Sequence, residues 1–128
     1  RLLIYAHHII SKKKRADMKH LANNKYHLTG YMKIGWPGLL ILEGLDSACY
    51  DFYDEIRRWN WKYLVVRGEM QESPTASAMD GNNDAVLSLL DCFNALRRFA
   101  KLVEVDDMSV VAAACREAGL EDLFRTSM

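Results

Sequence analysis

The residues of this sequence that could do chemistry are few, and most lie in its first third. His7 and His8 are adjacent, so on one strand their rings would point to opposite faces, one toward a buried corner and one toward solvent. His27 and Thr29 form a His-x-Thr string, but bringing two imidazoles to one phosphate needs a second copy, and none is present. The P-loop, GxGxxG, HExxH and GxSxG patterns are also absent. The sequence therefore predicts no catalytic residue, no metal ligand and no cofactor.

A run of four cations, Lys12 to Arg15, is the strongest candidate for binding a ligand. Residues 1–33 hold eight Lys or Arg and one acidic residue, a net charge of +7, and the remaining 95 residues carry −7. The total charge of zero therefore hides a strong asymmetry. A basic side of this kind suits a polyanion such as RNA, whereas a short charge run on its own is typical of a solvated helix end.

Length and composition indicate one ordinary globular domain. The chain has 128 residues, of which 50% are hydrophobic and 27% charged. The apolar run Leu39–Leu42 is too short to cross a membrane. Three widely spaced cysteines without a CxxC string indicate neither disulfides nor a zinc knuckle. We expect an intracellular protein, nuclear or cytoplasmic, with no small-molecule substrate. Because Arg1 leads straight into an apolar run, we also expect a domain of a longer protein.

The elements that must position these residues follow from hydrophobic spacing. Leu2–Ala6 and Leu39–Glu43 are apolar runs typical of buried strands, and Leu28–Ile34 alternates like a half-buried strand. Ser11 can cap a helix that ends at Asn23-Asn24. Between the second and third strands, Trp36-Pro37-Gly38-Leu39 predicts a type II turn with a positive φ at Gly38.

A second helix and a fourth strand follow. Asp46 or Ser47 can cap the helix, and its apolar residues recur at spacings of three and four: Leu45, Cys49, Phe52, Tyr53, Ile56 and Trp59. Tyr63–Arg67 is the fourth strand. The resulting order, β-α-β-β-α-β, predicts an α+β, ferredoxin-like fold.

The remainder of the chain predicts a helical extension. Residues 1–71 form the ferredoxin-like core, 72–84 a polar flexible loop, and 85–128 helices that pack on the same single domain. One helix runs from Val86 to Leu96, and another is capped by Asp107 and stopped by Gly119. The central strands are too apolar to meet water on either face. We therefore expect these helices to cover part of the second face of the sheet.

Several strings, in order along the chain, resemble the C-terminal domain of small RWD-domain-containing proteins. They are Tyr5-Ala6-His7-His8-Ile9, Lys12–Arg15, Leu28-Thr29-Gly30-Tyr31, Gly35-Trp36-Pro37-Gly38, Glu43-Gly44, Ser47-Ala48-Cys49 and Arg57–Lys62. That domain is similar to the C-terminal domain of pre-mRNA-processing factor 3, a protein of the U4/U6 small nuclear ribonucleoprotein (snRNP). The resemblance implies a ferredoxin-like fold with extra C-terminal helices, an RWD domain before Arg1, no enzymatic activity and a splicing context.

Two binding functions remain open. The splicing-factor branch holds small nuclear RNA, so the resemblance implies RNA as one partner, and a protein partner without nucleic acid is the alternative. For RNA, we expect a surface that combines Lys12, Lys13, Lys14 and Arg15 with Tyr31 and Lys33. Alternation puts Tyr31 and Lys33 on one face of their strand, so one could stack on a base while the other meets a phosphate. The opposing interpretation packs Tyr31 under the C-terminal helices.

A third, less favoured interpretation is a flavin-binding domain. The strings Leu3-Ile4-Tyr5, Asn23-Asn24, Leu28-Thr29-Gly30 and Leu42-Glu43-Gly44 are also similar to flavin-binding blue-light sensor domains. That photochemistry needs a Gln two residues before the Leu-Glu-Gly string. Leu40 stands there, and its side chain can neither donate nor accept a hydrogen bond.

Overall fold

A computed structural model describes residues 1–71, 99 and 101–125 of the chain. The loop expected at 72–84 and the helix expected from Val86 to Leu96 lie outside the described residues. The described elements comprise five strands, four α-helices and one π-helical turn. In chain order they are β1 (Leu2–Ala6), α1 (Lys12–His20), the π-helical turn (Leu21–Lys25), β2 (Thr29–Lys33), β3 (Gly38–Glu43), α2 (Asp46–Ile56), β4 (Leu64–Glu69), β5 (Leu102–Val105), α3 (Met108–Glu117) and α4 (Glu121–Arg125).

The strands form one mixed sheet in the order β4-β1-β3-β2-β5. Among β1 to β4, every pair of neighbouring strands is antiparallel, which confirms the predicted ferredoxin-like α+β fold. The fifth strand was not predicted. It pairs parallel to β2, with Tyr31 opposite Val103, and extends the sheet at the β2 side.

Helices α1 and α2 cover one face of this sheet. The side-chain oxygen of Ser11 accepts a hydrogen bond from the backbone N–H of Lys14 and so caps α1 as predicted. Met18 from α1 and Phe52 and Ile56 from α2 are completely buried against alternate residues of β1 and β3. This first core confirms the register that was assigned to α2 from its spacing.

The opposite face is covered by α3 and α4. Here the buried side chains come from the other alternate positions of the same strands and from the two C-terminal helices: Leu3, Leu39, Ile41, Val111, Cys115, Leu120, Leu123 and Phe124. Asp107 caps α3 through the backbone N–H of Ser109, and Gly119 follows the helix with φ +72°. The expectation that C-terminal helices cover the second face is confirmed for these two.

Three local expectations were wrong. Strand β2 is covered on both faces rather than half-buried, since α3 and Phe99 lie over its second face. The residue that caps α2 is Leu45, without a side-chain hydrogen bond, so neither Asp46 nor Ser47 caps it. The connection between β2 and β3 is not a type II turn with a left-handed Gly38. The Trp36-Pro37 peptide is cis, the positive φ belongs to Gly35 (+87°), and Gly38 already starts β3.

Gly38 is needed for space and not for its backbone angle. A Cβ at this position would lie 2.4 Å from Cγ1 of Ile9 and 3.0 Å from the Ile9 backbone nitrogen. Ile9 is buried and forms an isolated antiparallel bridge with Gly35. The absence of a side chain therefore lets the segment after β1 pack against the start of β3.

A buried carboxylate joins Arg1, β2 and Phe99 to the end of β3. Glu43, at the end of β3, accepts hydrogen bonds from Nε of Arg1 (3.0 Å), Oγ1 of Thr29 (3.1 Å) and the backbone N–H of Phe99 (2.8 Å). The Arg1 and Glu43 side chains are only 5% and 3% exposed. A paired and hydrogen-bonded carboxylate can be buried in this way, whereas removing one partner would leave a charge without compensation.

Replacing Phe52 with Ala tests the first core. Because the ring is completely buried between α2 and the sheet, Phe52→Ala should lower the free energy of unfolding by about 3–5 kcal/mol. Chemical denaturation followed by circular dichroism measures this change. Leu45→Ala, at a position that is 44% exposed, is the matched control and should change it by less than about 0.5 kcal/mol. Equal midpoints for Phe52→Ala and the wild type would contradict the packing.

Candidate nucleic-acid interface

The six residues predicted to bind RNA do not form one surface. Lys12 to Arg15 begin α1, which packs on the first core. Tyr31 packs against the second core, and Lys33, two residues along the same strand, shares its face. The sheet therefore lies between the basic run and the Tyr31–Lys33 pair, and the structure does not bring the two together on one face.

Tyr31 and Lys33 are held by the protein itself. The Tyr31 ring meets the ring of Phe99 edge to face, with centroids 5.1 Å apart. Lys33 is only 6% exposed, and its ammonium donates to the backbone carbonyls of Trp36 (3.2 Å) and Pro37 (3.0 Å). Its alkyl chain lies under the C-terminal layer while the charged end reaches carbonyls of the β2–β3 connection. The alternative of a packed Tyr31 is thus the one that the structure shows.

The four cations of the basic run differ in how they are engaged. Lys12 and Lys13 are exposed, and neither forms an ion pair with the described residues. Lys14 donates to the carbonyl of Asn60, and its ammonium lies 4.6 Å from the centre of the Trp61 ring. The indole N–H of Trp61 in turn donates to the Ile56 carbonyl (2.7 Å). The start of α1 is therefore tied to the connection between α2 and β4.

Arg15 is committed to an ion pair. Its guanidinium donates to both carboxylate oxygens of Glu104 in β5, at 3.1 and 2.9 Å, and Lys19 approaches the same carboxylate at 3.2 Å. The hydrogen bond from Arg15 lowers the pKa of Glu104 below its usual value, and Lys19 adds to this shift. The Arg15 and Glu104 side chains are each about one-quarter exposed. Arg15 therefore holds α1 to the fifth strand and offers little to a ligand.

Four parts of the chain, three connections and the start of α1, meet at the end of the sheet where β1 stops and β4 starts. The backbone groups of Ile9 and Gly35 bond to each other at 3.0 and 2.7 Å, which joins the segment after β1 to the β2–β3 connection. The backbone N–H of His7 donates to the carbonyl of Tyr63 (3.2 Å), which adds the α2–β4 connection. The fourth is the start of α1, held by Lys14.

An aromatic cluster occupies this end. The Trp36 ring lies 4.5 Å from His8 at an interplanar angle of 34°, and 4.5 Å from His7 at 80°. Tyr63 adds a fourth ring, 6.1 Å from His7. The expected division of the two histidines, one inside and one toward solvent, is wrong. The strand ends at Ala6, so strand alternation no longer applies and both rings turn toward the same indole. Trp36 itself stays 60% exposed.

The charge beside this cluster is positive. Desolvation lowers the pKa of His7 below its usual value, and the nearby charge of Lys62 and the second imidazole of His8 lower it further. The His7 ring is therefore neutral at pH 7, whereas Lys62 is exposed and charged. No ion pair within the described part of the chain involves Lys62.

The basic end surface is defined here as Lys12, Lys13, Lys14, Trp61 and Lys62. Sequence reasoning found its lysines on α1 but missed Trp61 and Lys62, and it assigned no binding role to Trp36. A signal was available in the string Arg57–Lys62, in which cations and indoles alternate before a strand. Basic residues interleaved with aromatic residues are typical of surfaces that contact single-stranded nucleic acid.

The other chemistries considered gain no support from the geometry. Thr29, the hydroxyl of the His-x-Thr string, is buried and donates to Glu43. Within the described ranges, no group of three or more His, Cys, Asp or Glu side chains is placed to hold a metal ion. None of the helices in these ranges is both long and apolar enough to cross a bilayer. Leu40, where the flavin photochemistry needs a Gln, is buried in the first core.

The ion pair between α1 and β5 gives a pH-dependent prediction. A carboxyl whose pKa is lowered by folding stabilises the fold above its unfolded pKa of about 4.5, and this contribution is lost as the pH falls through the lower folded value. Glu104→Gln should therefore lower the free energy of unfolding at pH 7 by about 1 kcal/mol. Denaturation at a series of pH values should show the difference from wild type shrinking below about pH 4.5.

A suitable control for this variant is Glu117→Gln. Glu117 is exposed in α3 and forms no ion pair with the described residues, so its replacement should change stability little at any pH. A Glu104→Gln protein as stable as wild type at pH 7 would show that the pair does not hold α1 to β5.

Residues 2–127 match the family model described as "Small nuclear ribonucleoprotein Prp3, C-terminal domain". The match begins with β1 and extends past α4, so it covers the sheet, both helical layers and the basic end surface. The expected similarity to the C-terminal domain of pre-mRNA-processing factor 3 is confirmed, and the chain belongs to the family of the C-terminal domain of the small nuclear ribonucleoprotein Prp3.

Proposed function

We propose that this chain is a non-catalytic binding module of a ribonucleoprotein, which holds single-stranded RNA on the basic end surface. The observation that carries the proposal is the contact of Lys14 with the Trp61 ring, which ties the start of α1, with its exposed Lys12 and Lys13, to the segment that holds Lys62. None of these three exposed lysines forms an ion pair with the described residues. Lysines supply the phosphate contacts, which provide most of the affinity for a polyanion. The family supports an snRNP and splicing context, and a nuclear location follows from the same proposal.

Because both faces of the sheet are covered by helices, the end of the sheet is the more accessible place for RNA to bind. In the RNA-recognition modules that use a four-stranded sheet, bases stack on aromatic side chains of an open face. Here α1 and α2 cover one face and α3 and α4 the other, and Tyr31 is already in contact with Phe99. An RNA strand would have to displace a packed helix to reach these side chains. The end of the sheet, in contrast, is accessible without such a change.

The start of α1 adds donors to this surface. The first backbone N–H groups of a helix have no partner within the helix, and its N-terminus carries a partial positive charge. Ser11 satisfies one of these groups in α1, and the first turn holds no acidic residue. A phosphate beside Lys12 and Lys13 would therefore meet both the side-chain charge and the helix terminus.

The link to RWD-domain-containing proteins is part of the proposal. It rests on the strings Tyr5-Ala6-His7-His8-Ile9 and Trp36-Pro37-Gly38. Both strings lie in the aromatic cluster at the end of the sheet, beside the basic end surface. Residues specific to this branch thus contribute to the accessible end, whereas the fold itself is shared with the wider family.

Removing three exposed lysines tests the proposal. A variant with Lys12→Ala, Lys13→Ala and Lys62→Ala should bind a short oligouridylate more weakly than wild type at low salt. Since each phosphate contact to a single strand contributes about 0.7 to the slope of log K against log salt, the slope should become shallower by about 2. Fluorescence anisotropy between about 50 and 200 mM salt measures both quantities. Three exposed side chains carry little packing energy, so the variant should remain folded.

The matched control removes the same charge elsewhere. Lys101 directly precedes β5, at the opposite end of the sheet, and Lys25 ends the π-helical turn that comes before β2 and pairs with Glu55. Arg116 lies in the last turn of α3, and all three side chains are exposed. Replacing these three with Ala should leave most of the affinity and the salt slope unchanged. Equal losses in both variants would indicate a nonspecific charge effect. Wild-type binding by the first variant would remove the RNA proposal and favour a protein partner.

A further inference from the structure

Trp36 is exposed to an unusual degree for so large an apolar side chain. It is 60% exposed, more than any other large hydrophobic residue in the described ranges. Covering apolar surface lowers the free energy of the system, so the exposed face of this indole is area that a ligand could cover with a gain in affinity. The groups around the ring indicate which kind of ligand that is.

The indole is held in place by contacts on both sides of its backbone. The ammonium of Lys33 donates to the carbonyls of Trp36 and Pro37, and Gly35 is bonded to Ile9. The His8 ring lies 4.5 Å from the indole in a tilted arrangement, and the His7 ring meets it edge to face. Because the ring is already fixed, little conformational entropy would be lost when a ligand covers it. An aromatic side chain that is rigid and exposed is preorganised for stacking.

The surroundings define the class of ligand. Lys62 lies close enough to His7 to influence its titration, and it follows Trp61 of the basic end surface directly in the chain. The two imidazole rings carry no negative charge that would repel a phosphate. A ligand with a flat aromatic face next to a negatively charged backbone matches this combination, and an unpaired nucleotide has both features.

We propose that Trp36, supported by His8 and His7, is a stacking site for an unpaired base of the RNA whose phosphates contact the basic end surface. This inference rests on the proposed function, which it extends by assigning base contact and phosphate contact to different residues. Stacking depends on the ring and tolerates any base, whereas the lysines recognise only phosphate. The two contributions can therefore be separated by experiment.

The test compares an oligouridylate with an abasic oligonucleotide of the same length and backbone charge. Trp36→Ala should weaken binding of the oligouridylate by about 5- to 100-fold, the range expected when one base loses an aromatic partner. It should leave the affinity for the abasic probe and the salt slope unchanged, because no phosphate contact is lost. Trp36→Phe keeps an aromatic face and should retain most of the oligouridylate affinity.

Two controls establish that a loss is specific to the ring. The denaturation midpoint of Trp36→Ala should equal that of wild type, since the side chain is mostly exposed. Leu45→Ala removes another exposed apolar side chain, just before α2 and at the opposite end of β3, and should bind both probes like wild type.

The outcomes separate the two proposals. If wild type binds both probes and Trp36→Ala binds the oligouridylate equally well, the stacking site is wrong and the RNA function stands. A Trp36→Phe protein as weak as Trp36→Ala would also contradict stacking, because the phenyl ring supplies a face. If wild type binds neither probe at low salt, the RNA function itself is wrong, and the stacking site is rejected with it.

Discussion

The two central strands, β1 and β3, are apolar on both of their faces, and most of the structure follows from this constraint. Successive side chains of a strand point to opposite faces, so such strands need a covering layer on each side. Helices α1 and α2 provide one layer, and α3 and α4 provide the other. The C-terminal helices are therefore part of the core rather than an appendage. A further consequence is functional: with both faces covered, a ligand is left with the ends and edges of the sheet.

The sequence strings that mark the family belong mainly to this core. Thr29 and Glu43 bond to each other across the β2–β3 pair, and the same carboxylate reaches Arg1 and Phe99. Gly30, the residue after Thr29, has a φ of +145°, and a Cβ at this position would lie 1.7 Å from the carbonyl oxygen of Ile41. Only glycine fits such an approach. Thr29, Gly30 and Glu43 thus specify how the sheet is assembled, whereas the basic end surface and Trp36 belong to other strings of the same family pattern.

The sequence predicted what depends on short-range spacing. The first four strands, the burial of Phe52 and the two capped helices all follow from periods of two or about four residues. Strand β5 was missed because it has four residues and pairs in parallel with a strand about seventy positions away. Lys33 was misassigned because its charge suggests exposure, whereas its long side chain can lie under helices and reach carbonyls. The aromatic cluster was missed because His7 meets Trp36 and Tyr63 only when three connections converge.

The central claim is that the ligand surface lies at the end of the sheet and not on its faces. Titrating isotope-labelled protein with a short oligouridylate, and following the NMR shifts of backbone amides and indole N–H groups, locates the contact directly. If RNA binds the end of the sheet, we expect the largest shifts on Lys12, Lys13, Lys62 and the indole of Trp36. The amides of α3 and α4 should then stay unchanged. Shifts concentrated on α3, α4 and Tyr31 would show instead that the C-terminal layer opens and that RNA binds the face of the sheet.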